Sequence, residues 1–135
     1  MNEPSLINII KKTEENLVSF SKIAWSYIEQ KKMKNAVVFG NKTLLSEKTL
    51  QRIRKGQLLN PSPETVMALC IGLELGIEGI LLFNAAGYNI IGSGRRDFNI
   101  YYIILSYWPN IDIHTCNKIL SESNCKPISD KRQLK

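Results

Sequence analysis

Side chains able to hydrogen-bond a base edge are concentrated in one run, Ser46-Glu47-Lys48-Thr49-Leu50-Gln51-Arg52-Ile53-Arg54-Lys55-Gly56. On a helix, Leu50 and Ile53 stand three apart and face a core together with Thr49. Glu47, Lys48, Gln51, Arg52 and Lys55 then share the outer side. The major groove of duplex DNA admits one helix, and Arg, Lys and Gln near its first turns read base edges there.

Other chemistries find fewer parts. His114 is the only histidine. With Cys116, and with Cys125 nine residues further on, it falls short of the four closely spaced ligands of structural zinc. A surface histidine and semi-buried cysteines are expected, and no metal ligand. Cys70 lies on an apolar helix face and reads as core. The chain has no Gly-x-Ser-x-Gly, no phosphate-binding Gly-rich loop and no His-Glu-x-x-His pair. No catalytic residue and no cofactor is therefore expected, and the chain is read as a non-enzyme. Gly92-Ser93-Gly94-Arg95-Arg96 reads as a hinge with solvated charges; its arginines alternatively reach a neighbouring phosphate or a minor groove.

The charge is concentrated around the same run. The net charge is +6, and residues 29–56 alone carry eight basic and two acidic side chains, which equals the whole excess. Residues 61–94 are acidic by three, and residues 95–135 basic by three. Such concentration points to an anionic partner, with nucleic acid first and a membrane surface second. A cationic surface that only maintains solubility is the plain alternative.

At 135 residues and 44% hydrophobic, the chain is expected to form one domain with a real core and a small appendage. No apolar run approaches the ~20 residues of a bilayer-spanning helix. The opening MNEPSLINIIKK lacks the pattern of a secretory signal. The three cysteines are odd in number and sparse, so a reduced, cytoplasmic protein is expected.

Helical spacing dominates and strand signals are poor, so the expected class is all-α. Leu6, Ile9, Ile10, Leu17, Phe20, Ile23, Ala24, Tyr27 and Ile28 recur at three and four, with an irregularity near Thr13. They predict a short leading helix, too short for membrane-surface binding, followed by a longer one ending near Lys32. Asn35 caps a short helix over residues 36–41, a connection follows at 42–45, and Ser46 caps a helix running to about Lys55, stopped by Gly56. Ser62 and Pro63 open the next helix, with Glu64 at its positive end; it continues to Gly76. A further helix over 78–86 is closed by Gly87. Beyond the break at Gly92-Ser93-Gly94, residues 97–108 are apolar nearly all round, with Phe98, Tyr101, Tyr102, Leu105 and Trp108 on one stripe. Pro109 ends that helix, and Asp112 caps a last one carrying Ile113, Cys116, Ile119 and Leu120. The expected organisation is an N-terminal helical arm (1–12), a main domain (13–91), a C-terminal helical extension (95–123) and a polar tail (124–135), frayed from Lys126.

The stretch SEKTLQRIRKG, followed by NPSPETVMALCIGLEL, resembles the phage-repressor (Cro/CI, Xre-like) helix-turn-helix family. The likeness covers residues 20–87, about half the chain, and is dense over 46–75. It implies a five-helix, lambda-repressor-like DNA-binding domain, with residues 47–55 as the recognition helix and the C-terminal helix pair as an extension. Carried over by position, Glu47, Lys48 and Gln51 are the base readers. Arg52 serves base or phosphate, and Ser46 does the same. Lys34, Asn35, Lys42 and Lys55 fit phosphate contacts. The chain departs from the pattern at Gly40, at Ala36, at Arg54 and at Leu44, which stands where the family has its turn glycine. A branched residue at Leu44 opposes positive φ, which leaves the geometry of this turn open.

About five neutralised phosphates would give a log–log salt slope near −4.5, a loss of roughly 500-fold for a fourfold rise in salt. Two or three base-reading side chains need doubling by symmetry, so a homodimer on double-stranded DNA is expected, acting as a transcriptional regulator and most simply a repressor. Tyr101, Tyr102, Leu105 and Trp108 are the candidate dimer or partner surface, with ordinary intrachain packing as the alternative. The rival function is a protein-interaction module on the same scaffold, such as an antitoxin or a phage-borne inhibitor of a nuclease or defence protein (an anti-CRISPR, for example). The aromatic residues Tyr101, Tyr102, Tyr107 and Trp108 suit such a role.

Overall fold

The computed structural model describes residues 5–10 and 19–129, and among them every regular element is helical. Residues 5–10 form a helical piece on which Leu6, Ile7, Ile9 and Ile10 remain about half exposed. Seven α-helices follow: α1 Phe20–Gln30, α2 Ala36–Thr43, α3 Glu47–Arg54, α4 Pro63–Gly72, α5 Gly79–Ala85, α6 Arg96–Tyr107 and α7 Ile113–Glu122. A 3₁₀ turn, Gly76–Glu78, precedes α5. None of the described helices is long and apolar enough to cross a membrane. The predicted irregularity near Thr13 and the Lys12 end of the arm lie outside the described residues, as do residues 130–135 of the tail.

Local rules account for the helix starts. Ser19, Asn35, Ser46, Ser62 and Asp112 each accept a backbone N–H from the first turn that follows, satisfying donors that a helix leaves unpaired. Pro63 opens α4 as its spacing predicts. The helix ends differ more. Helix α2 runs two residues past the expected stop, and the connection shrinks to Leu44–Ser46. Helix α4 stops at Gly72 rather than Gly76, because Glu74 takes the left-handed conformation (φ 53°) and the Leu75 N–H bonds back to the Cys70 carbonyl at 3.0 Å.

Helix α4 is the axis of the fold, with every residue from Val66 to Gly72 buried. Helices α2, α5, α6 and α7 pack on it, while α1 packs on α3 and α5. Gly72 is required by the closeness of the α2 crossing. A Cβ there would lie 2.8 Å from the Lys42 carbonyl oxygen and would run into the Thr43 methyl.

The C-terminal region corrects two expectations. Tyr101 and Leu105 do not form a surface: they are 2% and 1% exposed, and the Tyr101 ring packs at 5.9 Å from Phe83 and 6.2 Å from Phe98. The core-facing stripe of α6 is Phe98, Tyr101, Ile104 and Leu105, which leaves Tyr102, Ile103 and Tyr107 outside, with Trp108 just beyond the helix. Nor is the tail frayed as far as it is described. Asn117 on α7 grips residues 128 and 129 from both sides of the backbone, donating to the Ser129 carbonyl (2.6 Å) and accepting from the Ile128 N–H (2.9 Å). Ile128 is buried, and the Ser129 hydroxyl donates to the carbonyl of Thr43, the last residue of α2, at 2.8 Å.

Candidate nucleic-acid interface

Helix α2, a three-residue connection and helix α3 form the segment that carries the predicted site residues. Asn35 spends its side-chain oxygen on the Val37 and Val38 amides (2.9 and 3.2 Å). Phe39 anchors α2 in the core. At the other end the Thr43 hydroxyl donates to the Phe39 carbonyl (2.7 Å) and accepts from the Leu45 N–H (3.1 Å), closing the helix on itself.

The turn is made by Leu44 in the left-handed region, φ 57° and ψ 22°, with its N–H bonded to the Gly40 carbonyl at 2.8 Å. The branched side chain therefore does not prevent the turn. Leucine branches at Cγ, clear of the backbone, so its penalty is the Cβ term of about 1–2 kcal/mol. Burial of the side chain, 5% exposed, returns roughly 1.5–3 kcal/mol. Burial wins.

Ser46 caps α3 through the Thr49 N–H at 3.1 Å, and its hydroxyl also meets the Thr49 hydroxyl at 3.1 Å. Leu50 and Ile53 are each 1% exposed and hold α3 against α1 and α2 from behind. Glu47, Lys48, Arg52, Arg54 and Lys55 stand exposed on the other side; Thr49 and Gln51 are half-buried, so Gln51 sits at the edge of the outer face rather than at its centre. All eight basic residues of the 29–56 stretch are exposed. Among the described residues only Lys34 of these eight has a carboxylate partner, Glu29, at 4.0 Å across the surface, a pairing worth at most about 1 kcal/mol. The outer face of α3 and its flanks are thus left cationic and uncovered by the described chain.

Geometry gathers the predicted residues into two sets. Glu47, Lys48, Gln51, Arg52 and Lys55 belong to one helix or its cap, with Ser46 at its start, while Lys34 and Asn35 stand at the opening of α2 and Lys42 at its close. Tyr102 and Trp108 are exposed on the separate α6 region, joined there by Ile103 and Tyr107. Trp25 on α1 was not among the residues singled out from sequence; the Arg54 guanidinium sits 6.0 Å from its ring centroid, at the outer limit of a cation–π contact. No spacing signal marks it, since the pairing joins two helices that are far apart in sequence.

No family model, curated protein or solved structure matches the chain.

The thiols and the histidine lie apart from this face. His114 is exposed, Cys125 half-buried with its sulfur 3.4 Å from an Arg96 nitrogen, and Cys70 and Cys116 fully buried. Burial pushes the Cys116 thiol up to about 12 and that of Cys70 higher still, so neither is a nucleophile near neutral pH. Arg95, assigned to the hinge, is engaged with Asp97 at 2.7 Å and lies over the Phe98 ring at 3.9 Å.

Proposed function

We propose that this chain is a sequence-specific, double-stranded-DNA-binding regulator of the phage-repressor helix-turn-helix type, acting as a homodimer and without chemistry, most simply as a repressor in the cytoplasm. On this reading α1 to α5 are the five helices of the DNA-binding domain, α2–α3 is the helix-turn-helix, and α6–α7 are an extension. The observation that carries it is the open outer face of α3: a helix held from behind by Leu50 and Ile53 that presents Glu47 at its start and then Lys48, Arg52, Arg54 and Lys55, cations with no ion-pair partner among the described residues. Glu47, Lys48, Gln51 and Arg52 read base edges; Lys34, Asn35, Lys42, Ser46 and Lys55 border the backbone. Asn35 and Ser46 already serve as caps, so their share of binding comes from the remaining hydrogen-bonding capacity of an amide and a hydroxyl.

Selection of bound fragments from a random duplex pool tests the reading. One bidentate base contact supplies about 1–3 kcal/mol of discrimination. Replacing Lys48 and Gln51 with Ala is therefore expected to erase preference for the selected sequence by 10-fold or more while lowering affinity for random duplex much less. A pool that returns no enriched sequence removes sequence specificity from the proposal.

A second reading is favoured by one observation: Tyr102, Ile103, Tyr107 and Trp108 stay 36–74% exposed in the single chain. They form either the surface that pairs two copies or a hot spot for another protein, as in an antitoxin or an inhibitor of a defence nuclease. Sedimentation of the free chain separates these outcomes, because a homodimer forms without any partner.

A further inference from the structure

A cleft of about 300 Å³ opens where the start of α1 meets the end of α3, lined by Ser19, Lys22, Trp25, Arg54 and Lys55 among others. Three of its residues are cations and none of its lining residues is acidic. Lys22, Arg54 and Lys55 are all exposed, and none has a carboxylate within ion-pair distance among the described residues. The Trp25 ring is half-buried and forms an apolar wall beside the Arg54 guanidinium. The walls are tied together from below: the Ser21 hydroxyl donates to the Leu58 carbonyl (2.7 Å) and accepts the Leu58 N–H (3.1 Å), which fixes the loop after α3 to α1. Gly56, at φ 72°, turns the chain at the rim, and a Cβ there would meet nothing within 4 Å.

An apolar wall lined by three exposed cations, none ion-paired among the described residues, suits a tetrahedral anion. Arginine offers a planar fork of donors, and lysine a point charge for the remaining oxygens. We infer that this cleft binds a phosphate group, and specifically a backbone phosphodiester of the duplex engaged by α3. The inference rests on the DNA-binding reading above. Helix α3 is eight residues long, or about 12 Å at 1.5 Å per residue, close to the ~12 Å width of the major groove. With Glu47 to Arg52 reading bases, its C-terminal end at Arg54 and Lys55 stands at the bordering strand. Lys22, Trp25 and Arg54 then form a clamp on that strand, separate from the α2 side.

The test uses the full chain with Lys22→Gln and Arg54→Gln, singly and together, and Lys118→Gln on exposed α7 as a control of equal charge change. Binding to random and selected duplexes is titrated between 50 and 200 mM salt. Each cleft substitution is expected to flatten the log–log salt slope by about 0.9 and to weaken binding several-fold at 0.1 M, equally for both duplexes, whereas Lys118→Gln leaves the slope unchanged. The part of the tryptophan emission that Trp25→Phe removes is expected to change on adding duplex and not on adding inorganic phosphate or a mononucleotide. If wild type binds duplex while the cleft variants keep its slope, or Trp25 stays silent, the clamp is overturned and the DNA-binding reading survives. If Trp25 responds instead to the mononucleotide at low millimolar concentration and the cleft variants abolish that response, the source is a free phosphate ligand and the duplex assignment is overturned. If wild type binds no duplex at all, the DNA-binding reading and the clamp fall together.

Discussion

Replacing Asn117 with Ala is expected to loosen the end of α2 from a distance. The Asn117 side chain makes two hydrogen bonds to the backbone of residues 128 and 129, at 2.9 and 2.6 Å, and no other polar group of α7 holds that segment in the described structure. Each bond contributes about 0.5–1.5 kcal/mol net, so the direct loss is roughly 1–3 kcal/mol. Further loss follows once the segment lifts, because Ile128 is 1% exposed and the Thr43 carbonyl receives the buried Ser129 hydroxyl at 2.8 Å. For a chain of 135 residues, 1 kcal/mol corresponds to about 3–5 °C, so Asn117→Ala is expected to lower Tm by about 3–15 °C. Ser129→Ala removes one bond and leaves the Thr43 carbonyl unpaired, costing about 1–2 kcal/mol. The double variant is expected to cost less than the two single losses together, because release of the segment removes both contacts at once. Urea unfolding gives the energies, and hydrogen exchange at the Thr43 to Leu45 amides locates the effect. An Asn117→Ala protein that unfolds at the wild-type midpoint with unchanged exchange there would refute the strap.

Two further predictions concern the turn and the thiols. Leu44→Gly relieves the left-handed penalty but removes a buried side chain, and the larger second effect predicts a net loss of about 0.5–1 kcal/mol in urea; Leu44→Val, β-branched at φ 57°, is expected to cost more still. The Cys116 thiol is held at about 12, above its ordinary 9.0, and Cys70 and Tyr101 are shifted the same way by burial. The folded state then binds more protons than the unfolded state at alkaline pH. The stability these groups contribute is complete below about pH 9 and declines as pH rises toward 12. Thermal midpoints measured from pH 8 to 11 check this. A thiol reagent at pH 8 is expected to label Cys125 first, with Cys70 and Cys116 protected until unfolding.

Much of this structure was legible because helix starts obey local rules. Ser46, Ser62, Asn35 and Asp112 announce themselves by type and position, and Leu50 and Ile53 set the phase of α3 by spacing alone. Where a helix is apolar nearly all round, spacing gives no phase. Tyr101 and Tyr102 look equivalent in the sequence, yet one is enclosed by Phe83 and Phe98 and the other faces outward. Glycine-free turns also escaped, since Leu44 reaches positive φ through burial and backbone bonding, and the exposed Glu74 through backbone bonding at the helix end, which no local rule reports. The strap from Asn117 to Ser129 and on to Thr43 joins isolated polar residues far apart in the chain, in a tail whose composition argues for fraying. The Trp25–Arg54 cleft is of the same kind: each residue is ordinary until the fold brings the two helices together.

The most direct measurement is the affinity of the purified chain for duplex DNA at low salt, followed as the salt is raised fourfold. Retardation at low salt that weakens by roughly 500-fold over that range is the predicted result, from about five phosphate contacts. A chain that shifts no duplex even at the lowest salt would contradict it, and the exposed cations of α3 would then need another partner.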